Sequence, residues 1–334
     1  MTQDDVLRYK VRCPHCRQTL IVTLPKPAAP APPPVSAPIQ ETAPAPVDRA
    51  MSPDEESFRE RIVQSVLDRS FELPMLPHVA LKVIRLTGDA SSSMQDLAKV
   101  IMTDQTITGR IIKLCNSPVY AGAVEISSIT EALVRLGQIE IKNVMLAISL
   151  QTKVFKSRFY GRLAKQLWER SVGTAFASRT IAGSVGYDRE EAFLCGLMHN
   201  IGKMIAITIV EEAQRKMNGD FKPATELVGE IIEQYQADIG ELAVEKWSLP
   251  HCVAVTVRYV NRLGDLAEDE PVAPIVSLGD AFCRTAGIGA DRPEQVSLAE
   301  QPGKMRLHLN DHQCAEMYDR FVHLFETARN EFIT

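Results

Sequence analysis

The 334-residue chain has 45% hydrophobic and 24% charged residues, an ordinary globular mix with enough length for two domains or one large one. Its formal net charge of −5 gives no basic excess for releasing phosphate counterions, which argues against a nucleic-acid partner. The polar start carries Asp4 and Asp5 and is not a secretory signal, and the most apolar run, at 204–210, falls short of the roughly 18 residues of a membrane span. The expected location is the cytoplasm, with no membrane partner.

Composition divides the chain at residues 24, 53 and 286. Residues 1–24 form a short segment with strand character at Leu20, Ile21 and Val22. Residues 25–53 read as a disordered linker: ten of these twenty-nine are proline, which fixes φ and removes donors, so the stretch builds no core. Residues 54–286 form a helical domain, and 287–334 a C-terminal helical extension.

Helix signals follow in order. Ser52-Pro53-Asp54-Glu55 is a capping box with proline at the first helical position, followed by Phe58, Ile62, Val63 and Val66 at helical spacing. Pro77 opens a second helix that stops at Gly88. Ser93 with Asp96 opens a third. Asp104 caps a fourth, ended by Asn116-Ser117-Pro118. Ser128 with Glu131 starts the next, which Gly137 closes, and another runs through Ile141, Val144, Met145 and Ile148. A long helix is predicted over 159–182. Asp188 caps one carrying Phe193, Leu194, Leu197, Met198 and Ile201. Further helices are predicted over 223–235, 238–247, 250–262, 271–286 and 311–331. The fold class from residue 54 onward is all-α, a multi-helix bundle.

Seven cysteines do not make a disulfide framework in a chain of this size. Cys115, Cys195, Cys252, Cys283 and Cys314 fall in predicted helices and read as small buried hydrophobes. Cys13-Pro14-His15-Cys16 differs. It looks like one knuckle of a zinc ribbon, with two thiolates on one side of a tetrahedral Zn²⁺. The second pair that a full ribbon needs is absent from the proline-rich stretch. Three readings stay open: a zinc half-site completed by a second chain, a redox pair, and a decayed ribbon.

Several strings, taken together, resemble the HDOD family (HD-related output domains of bacterial signalling). They are Leu73-Pro74-Met75-Leu76-Pro77, Asp96-Leu97 with Ile101 and Asp104, Ile111-Ile112-Lys113-Leu114-Cys115-Asn116-Ser117, Leu136-Gly137, Gly196-Leu197-Met198-His199-Asn200-Ile201-Gly202-Lys203, and Trp247-Ser248-Leu249-Pro250. Most also have plain structural readings as helix entries, stops and core residues. The resemblance implies an HD-like helical bundle and a role in signal transduction through contact with other signalling proteins.

It also implies kinship with HD phosphohydrolases, which hold metals on converging histidines and aspartates so that bound water becomes a nucleophile. This sequence has His199-Asn200 where that class has His-Asp, and a neutral amide supplies no anionic oxygen. Arg170, in Trp168-Glu169-Arg170-Ser171, stands near where a metal-binding relative has histidine. Tyr259-Val260-Asn261 carries no histidine either. Asp280 matches the final aspartate. Between 150 and 285 the only histidines are His199 and His251. Arg170, His199, Asn200, Lys203 and Asp280 therefore read as a vestigial pocket with no core cofactor and no catalytic residue. The alternative for His199 is a hydrogen-bonded core histidine. Lys203 is either a solvent-facing charge or a partner for an anion. The expected function is a non-catalytic regulatory protein, a possible homodimer, that binds a partner or a pocket ligand; the alternative is a metal-dependent phosphohydrolase with an atypical ligand set.

Overall fold

The computed structural model of the chain describes residues 6–12, 19–25, 51–88, 92–118, 120, 122, 124–153, 157–217 and 221–333. It has two compact units, Met1–Pro38 and Ile39–Thr334. In the first, β1 (Val6–Arg12) pairs antiparallel with β2 (Thr19–Pro25), with Val6 opposite Pro25 and Arg12 opposite Thr19. Cys13, Cys16 and the proline-rich residues 26–50 lie outside the described residues.

The second unit is helical. Its elements are α1 (Pro53–Leu67), α2 (His78–Gly88), α3 (Met94–Ile101), α4 (Gln105–Cys115), α5 (Ile129–Lys153), α6 (Gly161–Val185), α7 (Arg189–Met198), α8 (Ile201–Lys216), α9 (Thr225–Lys246), α10 (His251–Tyr259), α11 (Val272–Ala286), α12 (Pro302–Arg306) and α13 (Asp311–Ile333). The starts are set locally. Ser52 with Glu55 and Ser93 with Asp96 form reciprocal capping boxes. Asp104 accepts from the Ile107 amide at 3.0 Å, and Asp188 accepts from Glu190 and Glu191 at 2.9 and 2.7 Å. Asn116, at the end of α4, reaches across the following loop. Its side chain accepts from the Ile126 amide and donates to the Ile126 carbonyl, both at 2.7 Å. Gly137, at φ 81° and ψ 170°, breaks the helical path inside α5, a conformation costly for any residue with a Cβ.

Packing sorts the helices into two groups. α2, α3 and α4 lie on α5, while α6 is flanked by α7, α11 and α13. α8 pairs with α9, α1 rests on both, and α10 touches α7, α9 and α11. The groups meet where α5 lies on α7. α6 is central, with its residues from Ser171 to Ser178 all buried. Phe176 has ring contacts with Phe193 on α7 at 5.4 Å and with Phe332 and Phe325 on α13 at 5.4 and 6.4 Å. The Trp168 indole donates to the Phe332 carbonyl at 2.9 Å. α12 and α13 are thus part of the core, with α12 packed on α11.

Three expectations are corrected. The helices predicted over 223–235 and 238–247 are one continuous helix, α9, whose Gly240 packs closely against Val257 and Gly202. The helix predicted to run from Asp188 through Ile201 stops at Met198 and restarts at Ile201, with His199 and Asn200 at the joint. The stretch Arg189–Lys216 does reach the length and hydropathy of a membrane span. Its most apolar 18-residue window is 89% buried, and the stretch is broken in the middle, as suits the core of a bundle.

Phe176→Ala should destabilise the unit by about 3–5 kcal/mol, the range for a large aromatic removed from a packed core. Urea unfolding followed by circular dichroism measures this. A loss below about 1 kcal/mol would mean that α13 is not anchored on α6 as described.

Candidate functional site

The joint between α7 and α8 sets the site. The α8 start is held tightly against α9, because a Cβ at Gly202 would lie 1.7 Å from the Gln236 carbonyl oxygen. Only glycine permits that approach, and it fixes His199 and Asn200 just ahead of it. His199 is buried, and its Nδ1 lies 2.6 Å from the Gly196 carbonyl. A carbonyl only accepts, so Nδ1 carries the hydrogen. That turns Nε2 toward α11, where it lies 3.6 Å from Asp280 Oδ1.

Asp280 is the hub. Arg170 of α6 approaches Oδ1, with Nε at 3.9 Å, and Arg284, one turn along α11, approaches Oδ2, with Nε at 3.2 Å. Both arginines also reach Glu294 in the segment after α11, at 3.0 Å from Arg170 and 3.7 Å from Arg284. Two cations and two anions therefore alternate in a closed ring. Burial alone would raise the Asp280 carboxyl, but the His199 contact and the charges of His199, Arg170 and Arg284 outweigh it and hold the carboxyl down at about 2. Below the ring, Thr174 lies 3.6 Å from the Cys283 sulfur, and burial drives that thiol far above its usual range.

The structure thus brings Arg170, His199 and Asp280 together, and places the other two candidates differently. Asn200 is buried beside His199 with no partner for its Nδ2. Lys203 lies one turn along α8 and pairs with Glu233 of α9 at 2.6 Å. This ion pair to a neighbouring helix is neither of the two readings, a solvent-facing charge or a partner for an anion in the pocket. The sequence reading missed Arg284 and Glu294. Arg284 was within reach, since i,i+4 spacing from Asp280 pairs opposite charges on a helix.

These residues do not fit the metal centre of an HD phosphohydrolase. His199, Asp280 and Glu294 offer metal-ligating atoms, but both Asp280 oxygens and the Glu294 carboxylate already face guanidinium groups. Asn200 is neutral. Among the described residues no group of three or more His, Cys, Asp or Glu side chains is placed to hold a metal. A guanidinium repels a metal cation, and a hydrolytic centre needs several ligands converging on one point.

An all-α bundle with this joint and hub is of the HD-like class. The HDOD domain profile matches residues 73–263, and the chain belongs to the HDOD family. An uncharacterised protein of Treponema pallidum (strain Nichols) is 23% identical over 232 residues, covering 67% of this chain and 44% of that protein; the chain spans less than half the length of this curated relative. Among solved structures, a candidate metal-dependent phosphohydrolase of Shewanella amazonensis SB2B superposes with a TM-score of 0.66 at 21% identity, over 84% of this chain and 99% of that one. An HDOD domain protein of unknown function from Geobacter sulfurreducens gives 0.59 at 20% identity, over 82% and 96%. A candidate signal transduction protein of Marinobacter aquaeolei VT8 gives 0.59 at 19%, over 84% and 66%. At these identities the likeness is one of fold.

The lowered Asp280 value makes an acid-stability prediction. Its folded value lies below the ordinary 3.8, so the stabilisation is complete above about pH 4 and is lost as pH falls toward about 2. The shift corresponds to about 2 kcal/mol. Asp280→Asn should lose that part of the acid dependence in urea titrations at pH 2.5 and 5; an unchanged difference between the two pH values would contradict it.

Proposed function

We propose that this chain is a non-catalytic signalling protein of the cytoplasm whose helical unit binds a partner protein, or a small ligand at the His199–Asp280 site. One observation carries the reading: the carboxylate that a metal would need is held by Arg170 and Arg284. In an HD-type reaction the metal would lower the pKa of bound water and neutralise phosphoryl charge. A ring of Arg170, Asp280, Arg284 and Glu294 does neither. It ties α6, the α7–α8 joint and α11 together, which suits a rigid recognition module. Membership of the HDOD family and the name of the Marinobacter neighbour are consistent with a signalling role.

Cys13 and Cys16 would form the second functional element, as a zinc half-site shared between two chains of a homodimer. Four thiolates, two from each chain, satisfy tetrahedral zinc.

Two measurements test these proposals. The purified chain, supplied in turn with Mn²⁺, Mg²⁺ and Zn²⁺, should hydrolyse phosphodiester substrates no faster than the metal-only blank, and His199→Ala should behave identically. An activity abolished by His199→Ala would overturn the non-catalytic reading in favour of a metal-dependent phosphohydrolase. Separately, replacing Cys13 and Cys16 by Ser should shift the chain from dimer to monomer in sedimentation and remove about half an equivalent of zinc per chain; an unchanged profile with no zinc in the parent would end the half-site proposal.

A further inference from the structure

A second buried charged cluster lies away from the Asp280 ring, where α5 meets α6 and α7. Glu140 of α5 is almost completely buried, and Oε1 takes two partners: the Tyr120 hydroxyl, and Arg179 of α6 at 3.1 Å. Arg179 also pairs with Glu190 of α7 at 2.6 Å, and its guanidinium lies 5.9 Å from the centre of the Phe193 ring. Asn143, fully buried one turn along α5, donates to the Glu190 carbonyl at 3.0 Å. The Glu140 and Glu190 carboxyls thus converge on the one Arg179 guanidinium, and Asn143 Nδ2 also lies 3.4 Å from Glu190 Oε2. The other charged or titratable neighbours of Glu190 are Lys142 of α5 and Tyr120.

The charge count within the cluster is uneven. Two carboxylates share the Arg179 guanidinium, while Lys142, the other cation near Glu190, forms no ion pair with either among the described residues, and an under-compensated buried charge is costly. Among the described residues Glu140 Oε2 has no donor while both carboxyls are ionised. One proton on Glu190 answers both problems: it removes the excess charge and gives the pair a shared hydrogen bond. We infer that Glu140 and Glu190 form a proton-dependent latch between α5 and α7, closed while the pair holds one proton and loosened when it is lost. The helices joined here belong to the two packing groups of the unit, so the latch governs how firmly the α2–α5 group is held on the rest.

The energetics point the same way. Burial first, and then the Glu140 carboxyl, push Glu190 from 4.5 up to about 8, against the pull of Arg179. A carboxyl raised on folding stabilises fully below its ordinary value and loses that contribution as pH rises to the folded value. The latch therefore weakens between about pH 5 and pH 8 and is open above that range.

Hydrogen exchange of the full chain, read by mass spectrometry at pH 6.5 and pH 9.0 and corrected for intrinsic exchange rates, tests this. Peptides from 138–153 and 189–198 should lose about tenfold or more in protection relative to peptides from α9. In Glu190→Gln, which keeps the shape without the charge, the two pH values should agree within about twofold. If that variant does not fold by circular dichroism, Glu140→Gln removes the same excess charge and should behave alike. No selective loss in the parent chain would overturn the latch, as would the same loss in a folded Gln variant.

Discussion

α6 is enclosed by other helices, so the charged side chains at its buried edges need counter-charges from neighbouring elements. Its two buried-edge arginines, Arg170 and Arg179, are nine residues apart, about two and a half turns, and so emerge on opposite sides. Arg170 reaches Asp280 on α11 and Glu294 beyond it. Arg179 reaches Glu140 on α5 and Glu190 on α7. The apolar face between them, centred on Phe176, takes α7 and α13. One helix thereby sets the position of four others.

The two arginines solve one problem with different results. Around Asp280 the charges balance, two against two, and the carboxyl is held firmly ionised. Around Arg179 they do not, and the cluster has to take up a proton. The first arrangement is insensitive to conditions near neutrality and suits a fixed scaffold. The second responds to them.

Helix starts were legible because they are written in adjacent residues: Ser52, Ser93, Asp104 and Asp188 all cap as their spacing implies. Gly137 was read as a helix stop with a second helix after it, and the helical path does break there and resume. The continuity of α9 was not legible, since Gly240 signals weakness locally and is required only by the approach of α8 and α10. His199, Arg170 and Asp280 could be named from the family strings, but their meeting depends on packing. Glu294 and the Glu140–Arg179–Glu190 cluster gave no local sign at all. Their partners are 10 to 124 residues away, on other elements or in loops, and a glutamate reads the same in sequence whether it faces water or a buried guanidinium.

The bond from Trp168 to the Phe332 carbonyl spans 164 residues, and Gln151 donates to the same carbonyl at 3.2 Å. During synthesis α6 therefore emerges long before the helix that covers it. Its Phe176 face stays open to water, or to any passing apolar surface, until α13 has left the ribosome. Closing such a distant contact is slow, and an open apolar groove in the interval is a seat for misassembly. The demand this protein places on chaperones is thus set by the distance in sequence between α6 and α13, more than by the number of its helices.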